Sequence, residues 1–308
     1  MDSAIRSFFH VLFNALQQGS TTALAALGIV LIFRTSRTTN FAQSSIATLN
    51  AFVAAWLFSS HGFSIWVATP LALVTAFITG VFIDRAFIRR APKNNPIARP
   101  IITLGIIMII IGILPMVFRI GQSRPDGSPI TYRLPRFFSG GIDVFGASLR
   151  YNQIFTVVVS IALMVGVFLF INHTKWGLAT RVTASDETTA RLMGVPTGKV
   201  TMFSWAFAAM FGTFAGIVLA PLMNMSPTFL VETQVNAFFA SVVGGFTTFF
   251  GPVIAAYIIV FLDSYFPVLF NFWDGADIWG TSIVFIMVLI FLYFRPYGLF
   301  GEKPIKKV

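Results

Sequence analysis

Nine stretches of this chain are nearly free of charged residues, and most are long enough to cross a bilayer. They span residues 11–33, 41–59, 65–83, 101–118, 154–171, 200–223, 237–250, 253–272 and 278–294. The hydrocarbon core is about 30 Å thick, which takes about 20 helical residues to cross. The runs do not alternate apolar and polar residues as barrel strands do, and open strand edges cannot be satisfied in lipid. The sequence therefore predicts an all-α, polytopic transmembrane protein of about eight to ten spans, with residues 1–308 forming one domain.

The charge distribution sets the orientation of these spans. A net charge of +10 fits either a nucleic-acid binder or a membrane protein with basic inner loops. Placing residues 184–200 in the cytoplasm puts 15 basic residues, including all six lysines, inside and 6 outside. This is the bias of the positive-inside rule, so we expect no nucleic-acid partner. The expected location is the inner or plasma membrane, with several passes and a cytoplasmic C-terminus.

The shortest stretch, residues 237–250, has an ambiguous path. It either crosses the membrane or forms a broken, re-entrant segment, because glycines and Pro252 cluster at its end. A weak internal repeat relates the two halves of the chain. Gly-Ile-Val-Leu at 28–31 recurs at 216–219, and Asn-Ala-Phe at 50–52 recurs at 236–238. In this topology the copies would be inverted, as in many transporters, although such short matches also arise by chance.

A polar segment, residues 173–200, interrupts the apolar runs and contains a short predicted helix. Ser185 can accept a hydrogen bond at the helix start, Asp186 and Glu187 suit the positive end of the helix dipole, and Gly194 ends the helix. A helix of about eight residues, roughly 12 Å long, is too short to be stable alone in water. We therefore expect it to contact a soluble protein. The candidate contact residues are Ser185, Asp186, Glu187, Ala190, Arg191, Leu192, Met193 and Gly194.

The sequence contains no recognisable catalytic or metal-binding constellation. There is no cysteine, and the three histidines are isolated in the sequence. Residues 194–200 do not match a phosphate-binding loop, which needs four residues between its glycines and Ser or Thr after the lysine. We therefore expect a chain that is not itself an enzyme and binds no metal or cofactor.

Polar residues within the spans are the candidates for a substrate pathway. A charged Asp263 would cost about 2.5–3.5 kcal/mol at the centre of a span, so it either faces a cavity or partner or lies at the wetted outer boundary. Uncharged polar residues can line a pathway or join helices by hydrogen bonds. The candidates are Gln17, Gln18, Asn50, Asn236, Ser241 and Asp263.

The longest predicted outer segment, residues 119–150, is rich in Pro, Gly and Arg. Ile142, Val144 and Phe145 could pack on the outer face. The segment is either an extracytoplasmic docking surface or a plain connection.

Five segments occur in the order seen in permease subunits of branched-chain amino-acid ABC importers. They are residues 19–32, 39–43, 190–195, 241–245 and 295–301. The chain resembles the LivH-type subunit of this family over nearly its whole length, because the inner segment reads Ala-Arg-Leu-Met-Gly. It departs from the family at Gln43 and Ser44, where His-Gly is usual, and at the glycine-rich turn, here residues 246–252. The substrate could therefore differ from leucine, isoleucine or valine.

The resemblance implies partners and a mechanism. The partners would be a second permease, either M-type or a second copy, two cytoplasmic ATPase subunits that bind ATP and Mg, an extracytoplasmic solute-binding protein and the lipid bilayer. Residues 185–194 would be the coupling helix seated in an ATPase cleft, although such a helix could instead lie on the bilayer surface. Two alternatives remain open. One is an ion-coupled secondary transporter that uses Asp263, and the other is an ABC permease for another small polar solute such as urea or a sugar.

Overall fold

The computed structural model describes residues 2–92, 95, 97–123, 127–270 and 276–301, and the described chain is predominantly helical. The helices are α1 (Asp2–Ser36), α2 (Gln43–His61), α3 (Ile65–Ile83), α4 (Ala98–Phe118), α5 (Tyr151–His173), α6 (Lys175–Ser185), α7 (Glu187–Leu192), α8 (Thr197–Leu219), α9 (Val231–Gly244), α10 (Phe250–Leu269) and α11 (Ala276–Phe294). A π-helical turn, Asp84–Ile88, extends α3, and a 3₁₀ turn, Ala220–Leu222, extends α8. An antiparallel hairpin of β1 (Gly141–Val144) and β2 (Ala147–Arg150) interrupts the helices.

The all-α, polytopic prediction is confirmed, because each of the nine predicted stretches contains a helix, although α9 ends at Gly244 within the stretch 237–250. Six helices of the described chain are long and apolar enough to span a membrane: α1, α3, α4, α5, α8 and α10. Helix α2 is less apolar because it lies inside the bundle, where Gln43, Ser44 and Asn50 are buried against protein rather than lipid. Helix α9 has only 14 residues, and the apolar part of α11 is also short.

Helices α1 and α8 form the antiparallel centre of the bundle. Small residues allow these helices to pack closely: Gly28 of α1 lies against Ala208 of α8, and Gly212 lies against Ala47 of α2. Helix α1 packs on α9 and α10, and α8 packs on α2 and α3 in the same way. Helices α8, α9 and α10 therefore correspond to α1, α2 and α3 and run in the opposite direction. The arrangement matches the predicted inverted repeat.

The helix ends define two faces of the molecule. On one, which we call the basic face, Arg37 donates to the Ala184 carbonyl at 2.6 Å and Arg99 donates to the Ser36 carbonyl at 2.8 Å. The end of α9 reaches the same face, since Phe246, just after α9, packs on Phe33 near the end of α1 with ring centroids 4.4 Å apart. Helix α9 therefore runs to the basic face and does not turn back.

The other face carries the β-hairpin of segment 119–150, and we call it the hairpin face. Phe145 at the hairpin turn stacks on Phe9 of α1 with ring centroids 4.7 Å apart. Trp66, at the start of α3, packs edge-on against Phe137 and Phe155. The turn of the hairpin therefore contacts α1 through Phe145, although this side chain is 70% exposed and Ile142 is 45% exposed.

Candidate translocation site and docking surface

Helices α2 and α9 both begin inside the bundle rather than at a face. Gln43, the first residue of α2, packs against Gly28 of α1, about 12 Å from the end of that helix at 1.5 Å per residue. Gln234, in the first turn of α9, lies about 15 Å from the end of α9 at Gly244. The segments before both helices, residues 37–42 and 223–230, therefore enter the bundle from opposite faces. Two helix N-termini meet near the middle of the membrane, an arrangement that transporters use to bind polar substrates.

Buried side-chain hydrogen bonds hold this junction together. The Gln234 side chain accepts from the Ser44 amide at 2.7 Å and donates to the Asn40 carbonyl at 3.3 Å. The Gln43 amide donates to the Ala208 carbonyl at 2.5 Å, and Asn40 donates to Gln43 at 3.0 Å. Irregular backbone at membrane depth is tolerated only where such partners satisfy it. These contacts therefore fix the two chain breaks relative to each other.

A small polar cavity lies between the junction and the hairpin face. Its volume is about 20 Å³, and it lies between α1, α8, α9 and α10. The lining residues are Gln18, Thr21, Thr22, Leu219, Met223, Glu232, Thr233, Asn236 and Val260. Two of the six predicted pathway residues, Gln18 and Asn236, thus share one cavity. Gln17, next to Gln18, is buried, and its amide nitrogen has no hydrogen-bond partner among the described residues.

The other predicted pathway residues form contacts within or between helices. Asn50 donates to the Ile46 carbonyl and accepts from the Thr75 hydroxyl of α3 at 2.9 Å. Ser241 donates to the Ala237 carbonyl of its own helix at 2.7 Å. Asp263 lies near Thr281 of α11, and its Oδ1 has no hydrogen-bond partner in the described chain. The contacts of Asn50 and Ser241 are those of helix packing.

On the basic face, α7 presents an apolar tip. Leu192 is 84% exposed and Met193 is 74% exposed, whereas Ala190 is fully buried. Ala190 therefore packs on this chain itself, contrary to the expectation that it faces a partner. Gly194 adopts φ +81° directly after the helix, as its predicted role in ending the helix requires.

The cap of α7 also differs from the sequence prediction. Asp186, not Ser185, is the N-cap: its carboxylate accepts from the amides of Thr188 and Thr189 at 2.8 and 3.0 Å. Ser185 instead ends α6, an 11-residue helix that the sequence analysis did not predict. A carboxylate gives stronger, charge-assisted bonds at a helix start than a hydroxyl does. The six-residue α7 is consequently shorter than expected.

Several polar contacts fix α7 to the bundle. Arg191 pairs with Glu187 at 2.5 Å and donates to the Thr197 hydroxyl. Arg89 pairs with the buried Asp84 at 2.8 Å and also donates to the Gly198 carbonyl at the start of α8. A charged crevice of about 200 Å³ lies behind α7 among these groups. Helix α7 is thus fixed to α8, and α8 in turn is bonded to the end of α3 through Arg89.

The sequence analysis missed part of the junction. It did not propose Asn40, Glu232, Thr233 or Gln234 as site residues, because they fall in or beside segments that hydropathy assigns to loops. Gln43 was noted only as a departure from a family pattern. The internal repeat was the available signal, since residues 39–43 and 228–234 precede the two repeated Asn-Ala-Phe sequences.

Comparison with known proteins identifies relatives of this chain. A family model for the branched-chain amino acid transport system permease component matches residues 11–293. A probable branched-chain amino acid transport permease protein LivH of Methanocaldococcus jannaschii is 27% identical, over 97% of this chain and 95% of that protein. The high-affinity branched-chain amino acid transport system permease protein BraD of Pseudomonas aeruginosa is 24% identical, over 99% of each.

A sugar permease is also among the relatives. The ribose import permease protein RbsC of Escherichia coli is 26% identical, over 92% of this chain and 83% of that protein. No solved structure matches the chain.

Proposed function

The chain belongs to the permease-component family of branched-chain amino acid transport systems, and from this we propose that it is the membrane-spanning permease subunit of an ATP-driven importer for branched-chain or related small amino acids. It would form the translocation pathway and perform no catalysis itself. ATP and Mg would bind to two partner ATPase subunits in the cytoplasm. The basic face, and with it the C-terminus, would lie on the cytoplasmic side, as the positive-inside rule requires.

The observation that carries this proposal is the apolar tip of α7. Leu192 and Met193 stand exposed at the end of a capped helix that is fixed to α8. Two large apolar side chains on a membrane protein's polar face fit a pocket on a soluble partner. A surface-lying helix is less favoured, because Asp186 and Glu187 would face anionic lipid.

The contacts behind α7 suggest how movement reaches the pathway. A push on α7 passes to α8 through Arg191 and Thr197, and from α8 to the end of α3 through the bond between Arg89 and the Gly198 carbonyl. Helix α8 holds Gln43 through the Ala208 carbonyl, so it is bonded directly to the junction of α2 and α9. We infer that nucleotide-driven closure of the ATPases shifts α8 and opens or closes this junction.

The hairpin face is the proposed docking surface for a solute-binding protein. In segment 119–150, Arg119, Arg133 and Arg136 are exposed, and so is Phe145 at the hairpin turn. A segment with exposed basic and apolar side chains suits an acidic protein partner. The second permease subunit, M-type or a copy of this chain, would cover part of the lipid-facing surface.

The ribose permease relative supports one alternative, an ABC permease for another small polar solute such as a sugar. That alternative keeps the same fold and partners and changes only the cargo. The ion-coupled alternative depends on Asp263, which does not line the cavity that Gln18 and Asn236 share.

A double substitution on α7 tests the proposal. In proteoliposomes that hold the complex purified with its ATPase subunits, Leu192→Glu with Met193→Glu should reduce amino-acid uptake at least about tenfold, because burying two charges destroys the contact. The control, Leu192→Met with Met193→Leu, keeps the apolar surface and should retain uptake. Normal uptake by the glutamate variant would refute the role of α7.

A further inference from the structure

The 20 Å³ cavity between α1 and α9 has a composition that selects for one kind of chemical group. Six of its nine lining residues are polar, and none of the nine is basic. A cavity of about 10–15 Å³ holds one water molecule, so this one has room for a group of that size. An ammonium group has this size and carries only hydrogen-bond donors.

Asn236 supplies an acceptor without a partner. The side chain is 6% exposed, and its Oδ1 has no hydrogen-bond partner in the described part of the chain. The repeat provides an internal comparison, because Asn50 occupies the equivalent place in the first copy and its Oδ1 accepts from Thr75. A buried polar atom without a partner is costly, so this oxygen requires a hydrogen-bond donor from outside the described chain. Only the second copy keeps its asparagine oxygen available for a ligand.

Glu232 supplies a negative charge to the cavity. It lies in the first turn of α9, its side chain is exposed, and among the described residues it forms no ion pair. The cavity therefore combines a carboxylate at its edge with a buried amide oxygen. This set attracts a cation that donates hydrogen bonds, so the ammonium end of a zwitterionic amino acid would enter the cavity and its carboxylate would stay outside.

Three of the lining residues, Leu219, Met223 and Val260, are apolar. The cavity holds no more than the ammonium group, so the aliphatic part of a cargo molecule would lie outside it. A set of acceptors with one carboxylate suits an amino acid better than a sugar or urea, neither of which carries an ammonium group.

We propose that this cavity is a binding site for the α-ammonium group of an amino-acid cargo, with Glu232 neutralising the charge and Asn236 Oδ1 accepting a hydrogen bond. The inference rests on the proposed transport function and narrows it to solutes with a free amino group. Glu232 and Asn236 are then the residues that distinguish amino acids from uncharged solutes of similar size.

The test uses the complete transporter in proteoliposomes, with radiolabelled leucine, isoleucine or valine as the cargo. Glu232→Gln removes the charge from an exposed side chain, so the fold is retained. Uptake should fall at least about tenfold, as expected when a charged hydrogen-bond partner is lost. ATP hydrolysis stimulated by the loaded binding protein should stay within about twofold of the unmodified complex. Glu232→Asp, which keeps the charge, should retain most of the uptake.

Asn236 gives a second readout. Asn236→Asp keeps an acceptor and should retain uptake, whereas Asn236→Leu should lose it. Unchanged uptake by Glu232→Gln would contradict the proposed ammonium site. Equal loss of uptake and ATP hydrolysis would also contradict it, because that result indicates general damage to the complex. Failure of the proposed function gives a different result, because the unmodified complex would then take up no amino acid at all. The proposed ammonium site would be refuted together with the function.

Discussion

At the scale of single residues, the positions with least freedom are those where helix backbones touch. A Cβ on Gly80 of α3 would lie 2.6 Å from the Ala206 Cα and from the Trp205 carbonyl of α8. Transmembrane helices associate through such close contacts, since lipid provides no hydrophobic drive between them. Gly112 of α4 is different, because a Cβ there would meet nothing within 4 Å.

Gly80→Ala should therefore lower the stability of the purified protein by about 1–3 kcal/mol, because α3 and α8 must separate to admit the methyl group. Thermal unfolding in detergent measures the change. The matched control is Gly112→Ala, which should leave stability unchanged or raise it by up to about 1 kcal/mol through better helix propensity. Equal effects at the two positions would contradict the packing described for Gly80.

A buried charge provides a second test at this scale. Asp84 is almost fully buried and pairs with Arg89, whose side chain is 44% exposed. Arg89→Met leaves that carboxylate without its bonded partner and should cost about 1–3 kcal/mol, with Arg85 and Arg99 nearby limiting the loss.

The double variant Arg89→Met with Asp84→Asn removes the charge as well and should recover part of the stability. Lys199→Met, an exposed change on the same face, serves as the control and should stay within about 0.5 kcal/mol. If the single and double variants are equally destabilised, the pair is not the source of the effect.

At the scale of helices, hydropathy predicted which segments are helical better than it predicted how deep in the membrane each helix begins. The nine helical stretches follow from long apolar runs, and the ends of α3 coincide with the predicted 65–83. The starts of α2 and α9 inside the membrane could not be predicted, because their polar segments resemble loops and depend on partners distant in sequence. Gln234 bonds to Ser44 and Asn40 across 190 residues or more. No local pattern contains such a pair.

The candidate sites also contain parts that the sequence predicts and parts that only the fold determines. Exposure of Leu192 and Met193 follows from a short capped helix, and this part of the site was predictable. The Asp186 cap and the separate α6 were not, because Ser185 and Asp186 are both acceptable caps and only the fold decides between them. The cavity beside Asn236 arises where α1, α8, α9 and α10 meet, so it is a property of packing alone.

At the scale of the whole molecule, the two faces should lie on opposite sides of the membrane. The chain has no cysteine, so single cysteines report position without interference. Phe145→Cys should react with a membrane-impermeant maleimide in intact cells, whereas Leu192→Cys should react only after the membrane is opened. The physical reason is the basic residues around α7, which favour the cytoplasm. The reverse labelling pattern would contradict the orientation.

The central claim is that this chain moves cargo only when ATPase subunits act on α7. The most direct measurement compares uptake of labelled leucine, isoleucine or valine by the purified chain alone, under proton or sodium gradients, with uptake by the complete complex supplied with ATP and Mg. We predict no uptake by the chain alone under either gradient and ATP-dependent uptake by the complex. Gradient-driven uptake by the chain alone, indifferent to ATP, would contradict the account.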